Sequence, residues 1–250
     1  MPLLGVIPAR LGSSRLPKKP LAPLAGEPLI VWVARRVQEF HLTDRLVVAT
    51  DATEIAAIVE RAGFEAVMTS PAHQSGTERI SEVIANKEFT AFDLILNVQG
   101  DEPFVERSAV EGIVRRLTAG DPIATAAGTL DPRLAGDPNR VKVVVNATGH
   151  AVYFSRSPIP YDREGGQGGV TYRQHVGVYG YTREALQRWV SLPPVAEERW
   201  EQLEQLRPLL HGIPIGVALF DGAPAPGIDT PDDLRWAETQ LDRHLREVSP

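Results

Sequence analysis

Four basic side chains stand together in the stretch PARLGSSRLPKKPL, directly after an apolar run. They are Arg10, Arg15, Lys18 and Lys19, in a chain whose formal net charge is -6, so the cluster is not part of a general basic bias. A glycine-serine turn can point backbone N–H groups at one anion, while arginine adds a forked donor and lysine a point charge. The stretch predicts triphosphate binding, with a solvated basic loop as the alternative. It matches neither the P-loop nor the dinucleotide G-x-G-x-x-G pattern.

Two aspartates have the placement that a divalent cation requires. Asp101 in NVQGDEP comes just after a predicted buried strand, and Asp229 lies in PGIDTPDD. Magnesium prefers one or two carboxylates together with phosphates, so both are candidate ligands. The structural alternatives are a turn residue for Asp101 and a helix start for Asp229. Asp232 and Asp233 are assigned to that helix start.

Polar residues that suit a base or a sugar gather in two further stretches. HQSGTER places His73, Gln74, Ser75 and Arg79 at a predicted helix start, where Thr77 is the expected cap. In HVGVYGY the residues His175 and Tyr179 are four apart on a predicted strand, hence on the same face. They predict a polar wall for a hydroxylated ligand. Glu204 and Gln205 could join it, although an exposed helix face explains them equally well.

The elements that must position these residues alternate in the first half. Short apolar runs predict strands at 3–8, 45–51, 65–69, 93–101 and 123–130, with amphipathic helices after each of the first four. Strand-helix alternation is typical of a parallel sheet covered by helices, with ligands at the carboxyl ends of its strands. That edge is where residues from Arg10 onward, Asp51 and 99–102 fall. Expected helix signals are Thr53 as a cap, Gly63 as a stop, and a capping box of Ser108 with Glu111.

The second half of the sequence does not continue this strand-helix alternation. Strands are predicted at 141–146 and 150–156 around a turn with Gly149, then at 175–181 and 213–220, with a flexible loop GGQGG at 165–169. Thr182 is expected to cap one helix, and a single helix is expected over 195–210. Thr230 and Pro231 begin the last helix. The second half is predicted to elaborate the first rather than to form a free domain.

Composition excludes several classes of protein. The chain has no cysteine, which excludes disulfides, a thiol nucleophile and a cysteine zinc site. The values of 43% hydrophobic and 23% charged residues are ordinary for a soluble globular protein, and the mild acidity argues against a nucleic-acid or anionic-lipid surface. No run is long enough to cross a bilayer or to form a signal h-region. A cytoplasmic location is expected.

Eight stretches in order and near-spacing resemble the 3-deoxy-manno-octulosonate cytidylyltransferases, also called CMP-KDO synthetases. They are IPARLGSSRLPKKPLAPLAGEPLI, VVATD, HQSGTERI, NVQGDEPF, YFSRSPIPYDR, HVGVYGY, LEQLR and GIDTPDDL, from about residue 3 to 240. The resemblance implies one α/β nucleotidyltransferase-type domain over 1–250, Rossmann-like, with a mostly parallel sheet, helices on both faces and a β-rich dimerisation arm. Residues 1–130 would form the nucleotide-binding half, 131–210 the sugar-binding and dimerising part, and 211–250 a closing strand and helix.

The resemblance also implies the reaction and its residues. CTP and the acid sugar KDO would give CMP-KDO and pyrophosphate with Mg²⁺, in a homodimer that serves lipopolysaccharide synthesis. By position, the CTP residues are Ala9, Arg10, Gly12, Ser13, Ser14, Arg15, Lys19, Ser75, Gly76, Arg79, Gln99 and Asp101, with His73 and Gln74 at the same pocket. The sugar residues are Gln99, Arg156, His175, Tyr179, Glu204 and Gln205; the metal carboxylates are Asp101 and Asp229; the catalytic set is Arg10, Arg15, Lys19, Asp101 and Asp229.

Two alternatives stay open. The relatives that activate sialic acid usually carry asparagine after the loop lysine, whereas this chain has Lys19-Pro20-Leu21, which favours KDO over another acid sugar. A protein that binds CTP without chemistry would need the loop but neither the paired aspartates nor the sugar wall. Lys18 stands where many members have glycine, which favours a merely solvated lysine. An NAD-dependent oxidoreductase would need the glycine fingerprint that this sequence lacks.

Overall fold

The computed structural model describes residues 1–12, 15–165 and 169–248, and the side chains as far as residue 241. Its strands and helices alternate through the first half, as the sequence predicts. In chain order they are β1 (Leu3–Ala9), β2 (Pro23–Leu24), β3 (Glu27–Pro28), α1 (Leu29–Glu39), β4 (Arg45–Thr50), α2 (Thr53–Arg61), β5 (Glu65–Met68), α3 (Gly76–Ala85), β6 (Leu94–Val98), α4 (Arg107–Thr118), β7 (Ile123–Leu130), β8 (Lys142–Val145), β9 (Ala151–Ser155), β10 (Tyr172–Thr182), α5 (Arg183–Ser191), α6 (Ala196–Glu201), α7 (Leu206–Leu210), β11 (Ile215–Leu219) and α8 (Pro231–Val248).

The chain divides into two compact units. The N-terminal unit comprises residues 2–91, 97–105 and 225–250, and the central unit comprises residue 1 with 92–96 and 106–224. Strand β6 therefore contributes residues to both. The predicted arrangement as one domain stays a prediction.

The N-terminal unit is built on parallel strands in the order β6-β1-β4-β5. Strand β1 pairs in parallel with β4, from Leu4 opposite Arg45 to Ala9 opposite Thr50, and β4 pairs in parallel with β5. All seven residues of β1 are buried, as its unbroken apolar run requires. Helix α1 buries the face predicted from its 3.6-residue period, which includes Leu29, Ile30, Val33 and Val37.

The central unit is built on the strand order β11-β7-β10-β6. Strand β7 lies parallel to β11 and antiparallel to the long strand β10. The antiparallel pair β8 and β9 extends this arrangement through the pairing of Gln174 with Lys142. The pairing of β10 with β7 is irregular between Val176 and Tyr179, a feature that positions polar groups described below.

Several predicted chain signals are confirmed. Gly63 has a φ of 84°, the left-handed conformation that ends α2, and Gly149 has a φ of 78° in the β8–β9 turn. Thr182 caps α5 by accepting a bond from Ala185 N at 3.2 Å. Thr230 caps α8 in the same way, since its Oγ1 accepts from Asp233 N at 3.2 Å. Pro231 is the first helical residue, where no N–H is needed.

Three predicted helix caps are wrong. The extended residue before α2 is Ala52, so Thr53 already belongs to the helix. Ser75, not Thr77, caps α3, because its extended backbone lets its side chain accept from Glu78 N at 3.2 Å. Helix α4 begins after Glu106, which leaves Ser108 inside the first turn, while Glu111 pairs with a neighbouring arginine instead.

The single helix predicted over 195–210 is also wrong, because the chain forms α6 and α7 with a break between them. Gln202 adopts a left-handed φ of 54° at the end of α6. Pro208 explains the break, since in one continuous helix it could not donate to the carbonyl of Glu204 and its ring would clash there. In the short helix α7 it lies in the first turns, where its missing N–H is not needed.

The predicted fold class, α/β with a mostly parallel sheet flanked by helices, is confirmed. The dimerisation arm stays a prediction, and most of the expected GGQGG loop lies outside the described residues. Among the helices of the described ranges, none combines the length and the apolar character that crossing a membrane requires.

Candidate active site

The predicted cations and the predicted carboxylates meet in the N-terminal unit. Lys19 Nζ lies 2.5 Å from Asp101 Oδ2 and 2.9 Å from Asp229 Oδ1. Arg15 Nη2 lies 3.0 Å from Asp229 Oδ2. Because two oxygens share one ammonium, the carboxylates of Asp101 and Asp229 are no further apart than two hydrogen-bond lengths. We call Arg15, Lys19, Asp101 and Asp229 the charge cluster.

Local structure brings the members of the charge cluster together from distant parts of the sequence. A short 3-10 helix, Lys19–Leu21, buries Pro20 and sets the direction of the Lys19 side chain. Asp101 follows β6 and its carbonyl accepts from Ile228 N at 2.9 Å, which joins this segment to the start of α8. Gly100 must be glycine here, because a Cβ would lie only 3.0 Å from the carbonyl oxygen of Pro8. The strand ends therefore approach closely.

The electrostatics of the cluster fix its protonation. Burial lowers the pKa of Lys19, but the ion pairs with Asp101 and Asp229 outweigh it and the net shift is upward. The ammonium therefore stays charged at neutral pH. Burial, with repulsion from Asp101 and Asp229, raises the pKa of the neighbouring Glu102 to about 8. At neutral pH Glu102 therefore keeps its proton and adds no negative charge to the cluster.

The rest of the predicted phosphate loop is partly described. Ala9 is the buried last residue of β1, and Arg10 follows it with an exposed side chain. Within the described residues Gly12 has no atom near its Cβ direction, so space is open beside it. Ser13 and Ser14 lie outside the described residues. The exposed Arg10 therefore follows the carboxyl end of β1 and precedes Arg15 and Lys19 of the charge cluster.

Lys18 faces away from the charge cluster. Its Nζ pairs with Glu54 at 3.0 Å, and both side chains are about half exposed. Its backbone φ is 53°, in the left-handed region that favours glycine. Glycine would adopt this backbone conformation without strain, and the pairing with Glu54 agrees with a solvated role for the lysine.

The stretch at the start of α3 is held by its own side chains. Ser75 is engaged as the cap, and Gly76 lies against Pro8, with a Cβ there 3.2 Å from its ring. Gln99 Nε2 donates to Asn97 Oδ1 at 3.3 Å. His73 pairs with Glu82, and Gln74 N donates to Glu78 at 2.7 Å. These bonds give the loop a fixed shape.

Arg79 is not a free binding group. Its side chain is 3% exposed, and it pairs with Asp51 at 2.8 Å and donates to Thr69 Oγ1 at 2.5 Å. Asp51 and Thr69 follow β4 and β5, so Arg79 connects α3 to the ends of two strands. A buried arginine whose two partners are both bonded to it fixes the positions of these elements relative to one another.

In the central unit His175 and Tyr179 lie side by side, as their spacing predicts. Their ring centroids are 5.4 Å apart, and Phe154 packs edge-on against His175 at 5.1 Å. Burial lowers the pKa of His175 to about 3, so its imidazole is neutral. The hydroxyl of Tyr179 is buried without a hydrogen-bond partner in the described chain. Burial, with Tyr181 and Glu204, raises the pKa of Tyr179.

The buried hydroxyl of Tyr179 has no partner within the described chain, and a buried polar group without a partner is costly. Glu204 is exposed, and its charge reaches Tyr179, whereas Gln205 is buried at the start of α7. Arg156 is engaged differently. Its guanidinium donates to the carbonyls of Glu201 at 2.6 Å, Pro138 at 2.8 Å and Gln202 at 3.2 Å. Three of its five donors therefore hold the chain around α6.

The charge cluster offers two carboxylates for a metal. Within the described residues, no group of three or more His, Cys, Asp or Glu side chains is placed to hold an ion. Two carboxylates nevertheless fit magnesium, which takes the rest of its oxygen ligands from phosphates and water. The Lys19 ammonium between Asp101 and Asp229 is a positive charge held by both oxygens, so the pair can share one cation.

Sequence reasoning placed Asp51 at the ligand-binding edge of the sheet but missed that it holds Arg79, and it missed the other residues that hold the predicted ones. Thr69 and Asp51 fix Arg79, Glu54 fixes Lys18, and Thr125 contacts His175 at 3.0 Å. Asp51 carried a signal, since it follows a predicted parallel strand. Thr125 carried none, because a single threonine in an apolar strand looks like any other strand residue.

Comparison with known proteins shows the family of the chain. The cytidylyltransferase family model matches residues 4–215. The 3-deoxy-manno-octulosonate cytidylyltransferase of Gemmatimonas aurantiaca is 51% identical over 246 residues, covering 97% of this chain and 95% of the relative. That of an Anaeromyxobacter species is 45% identical over 244 residues, with 97% and 98% covered. A structure of CMP:2-keto-3-deoxy-manno-octonic acid synthetase complexed with CTP superposes with a TM-score of 0.91 at 39% identity, covering 98% of this chain and all of that one.

The chain therefore belongs to the cytidylyltransferase family. The fold is shared with a more distant protein, since a 4-diphosphocytidyl-2C-methyl-D-erythritol synthase structure from Anaerococcus prevotii matches with a TM-score of 0.63 at 13% identity. Within the family, the resemblance to the 3-deoxy-manno-octulosonate cytidylyltransferases predicted from eight sequence stretches is confirmed.

Proposed function

We propose that this enzyme transfers the cytidylyl group of CTP to KDO, giving CMP-KDO and pyrophosphate. The observation that carries the proposal is the charge cluster, in which residues 15, 19, 101 and 229 converge within ion-pair distance. Cations suited to a triphosphate and carboxylates suited to its metal come together at the ends of strands, where parallel sheets bind ligands. The names of the relatives supply the nucleotide and the sugar.

The reaction forms and breaks bonds at the α-phosphorus of CTP, so the phosphate groups are where stabilisation is needed most. The anomeric hydroxyl oxygen of KDO bonds to the α-phosphorus of CTP, the bond from that phosphorus to the pyrophosphate oxygen breaks, and the hydroxyl proton is released. Phosphoryl-type transfer depends on positioning and charge neutralisation more than on covalent help. Arg10, Arg15 and the permanently charged Lys19 are assigned to the phosphates, where they would offset charge that grows on pyrophosphate.

Magnesium is the cofactor we propose for the charge cluster. Asp101 and Asp229 would hold it, because their oxygens already share one positive charge. When bound, the ion neutralises phosphate oxygens and so favours departure of pyrophosphate. Lys19 would then have to give up part of its contact with the two carboxylates and turn toward the phosphates.

The central unit supplies the groups that we assign to the sugar. His175 is neutral and is suited to a sugar hydroxyl, and Tyr179 carries a buried hydroxyl that is unpartnered within the described chain. Glu204, Gln205, Gln99 and Arg156 are proposed sugar residues from the resemblance. For Arg156 the structure favours an indirect role, because most of its donors are occupied by backbone carbonyls.

The direct test is product analysis. The enzyme is incubated with KDO, Mg²⁺ and each of the four nucleoside triphosphates in turn, and products are identified by mass. We expect CMP-KDO and pyrophosphate from CTP, with little product from ATP, GTP or UTP. Product from CTP and a different acid sugar, but not from KDO, would reassign the acceptor. Binding of CTP without pyrophosphate release would favour a non-catalytic nucleotide-binding protein.

Three further expectations rest on the resemblance. We expect a homodimer, a cytoplasmic location and a place in lipopolysaccharide synthesis. Light scattering on the purified enzyme measures the first, and a mass of one chain at working concentration would remove it. Fractionation of the producing cells measures the second.

A further inference from the structure

Thr125 makes a polar contact that the reaction scheme does not use. It lies on β7 with no exposed surface, between the two elements that β7 pairs with. Its Oγ1 lies 3.0 Å from His175 Nε2, 2.8 Å from the carbonyl oxygen of Val178 and 3.2 Å from that of Val176. Three polar atoms therefore share one hydroxyl.

The shared hydroxyl has only one proton, and this decides the state of the histidine. The two carbonyls can only accept, so at least one of them needs that proton. If the proton pointed at His175, both carbonyl oxygens would face the lone pairs of the hydroxyl oxygen. The satisfied arrangement has Thr125 donating to Val178 and His175 Nε2–H donating to Thr125. Because the imidazole is neutral, its Nδ1 then carries no proton.

The irregular strand pairing is what produces this contact. Opposite β7, Val176 pairs with Ala126 and Tyr179 pairs with Thr125, so residues 177 and 178 are extra on β10. A bulge of this kind turns carbonyls out of the regular ladder and re-aims side chains. Here the carbonyls of 176 and 178 both turn toward one threonine, and His175 and Tyr179 are brought onto one surface.

The other ring nitrogen of His175 is available to a ligand. The ring is only half-buried, and among the described residues no hydrogen bond to Nδ1 is found. Phe154 and Tyr179 hold the ring on two sides. Nδ1 is therefore the ring atom that can accept a hydrogen bond from a ligand hydroxyl.

We infer that Thr125 is a positioning residue for the sugar: it holds His175 as the Nε2–H tautomer, so that Nδ1 accepts a hydrogen bond from a hydroxyl of the sugar acid. The inference rests on the proposed function. It also states which sugar group lies there, because a carboxylate oxygen would be repelled by the lone pair on Nδ1, whereas a hydroxyl can donate to it.

Nitrogen NMR of the histidine rings tests the tautomer without any activity. The chain has six histidines, and the His175 signals are those that disappear in His175→Gln. Long-range proton–nitrogen spectra distinguish the tautomers, since the unprotonated nitrogen resonates far downfield of the protonated one. We expect Nδ1 to be unprotonated in the wild type and in Thr125→Ser, and the preference to be lost in the near-isosteric Thr125→Val.

Kinetics tests the consequence for the sugar. Loss of one fixed neutral hydrogen bond predicts a KM for KDO roughly three- to tenfold higher in Thr125→Val. The KM for CTP should be unchanged, and Thr125→Ser should behave as wild type. Wild-type turnover of CTP with KDO is the control for the proposed function: if it fails, the sugar assignment fails with it.

Other outcomes overturn the inference alone. A wild-type His175 protonated at Nδ1 would contradict it even if Thr125→Val failed to fold. With normal wild-type turnover, an unchanged KM for KDO in folded Thr125→Val would also contradict it, as would equal losses for CTP and KDO. Thermal melting of both variants establishes which of them are folded.

Discussion

The charge cluster of the N-terminal unit and the His175–Tyr179 surface of the central unit hold their polar groups by opposite means. In the first, Lys19 stays charged and forms an ion pair with Asp101, and the two side chains are 18% and 26% exposed. In the second, burial holds His175 and Tyr179 neutral. In the charge cluster, side chains of opposite charge pair with one another. On the His175–Tyr179 surface, the hydrogen bonds depend on which atoms carry the protons.

Because of this difference, substitutions in the two regions should affect the enzyme differently. Paired charges can rearrange around a triphosphate and its metal, because each side chain keeps some access to water. A buried neutral group has no such freedom, so its partner must come from the ligand or from a residue such as Thr125. Substitutions in the charge cluster should therefore affect turnover strongly, and substitutions on the neutral surface should affect sugar binding and stability by smaller amounts.

The largest effect is expected for Asp101→Asn. It removes one charge from the pair that we assign to magnesium and leaves the side-chain shape. We expect kcat to fall roughly 10²- to 10³-fold, as for other losses of preorganised transition-state electrostatics. Steady-state pyrophosphate release measures it, with Mg²⁺ varied to saturation. Asp232→Asn is the matched control, since Asp232 is exposed and pairs with Arg235 at the start of α8. Turnover of Asp101→Asn near wild type would remove the charge cluster from catalysis.

Adjacent lysines give the next comparison. Lys19→Ala removes the ammonium between Asp101 and Asp229, and we expect kcat/KM for CTP to fall about 10²-fold with the KM for KDO little changed. Lys18→Gly should keep normal kinetics. It should also raise the free energy of unfolding by about 1 kcal/mol, because glycine adopts the left-handed φ of 53° without strain. Equal losses in both variants would show that the loop acts through general positive charge.

The neutral surface predicts a pH effect on stability. Burial lowers the pKa of His175 to about 3 in the folded chain, against an ordinary value near 6.5. Between these values the unfolded chain binds the extra proton, so stability is present above the unfolded pKa and declines as the pH falls. His175 should contribute a loss on the order of 2 kcal/mol between pH 6.5 and 4.5.

Denaturant unfolding at several pH values measures this loss. His175→Gln should flatten the profile in that window, while His41→Gln, which changes an exposed histidine, should not. A profile that is the same with and without His175 would mean that its ring is charged or well hydrated in the folded enzyme.

The smallest effect is expected for the hydroxyl of Tyr179. Tyr179→Phe removes a buried group without a partner, so the ligand-free enzyme should be unchanged or more stable by about 1 kcal/mol while KM for KDO rises. Tyr181→Phe is the matched control on the same stacked pair of rings. Tyr181 is fully buried and its hydroxyl is not among the unsatisfied groups, so its loss should destabilise. Destabilisation by Tyr179→Phe would mean that the hydroxyl already has a partner.

Much of the fold follows from local signals that can be recognised in the sequence. The unbroken apolar run of β1, the periodic face of α1, and the Thr230-Pro231 start of α8 each depend on neighbours a few residues away. Those signals fail where competing ones are close together. Thr77 and Ser75 are both good caps, and only the backbone entry angle selects Ser75. Over 195–210 the helical pattern continues, and the single proline outweighs it.

The candidate site divides in the same way. Arg15, Lys19, Asp101 and Asp229 could be predicted because their charges stand out against an acidic chain and follow apolar strands. Thr125 could not, since its role depends on a bulge in the strand opposite, more than 50 residues later in the chain. The engagement of Arg79 by Asp51 and Thr69, and of Arg156 by backbone carbonyls, was equally hidden, because sequence shows a cation but not what satisfies it.

A crystal structure of the enzyme with CTP and Mg²⁺ tests the central claim most directly. We expect the triphosphate beside Arg10, Arg15 and Lys19, with an ion bridging it to Asp101 and Asp229. CTP bound elsewhere, or a triphosphate whose metal touches neither aspartate, would contradict the account.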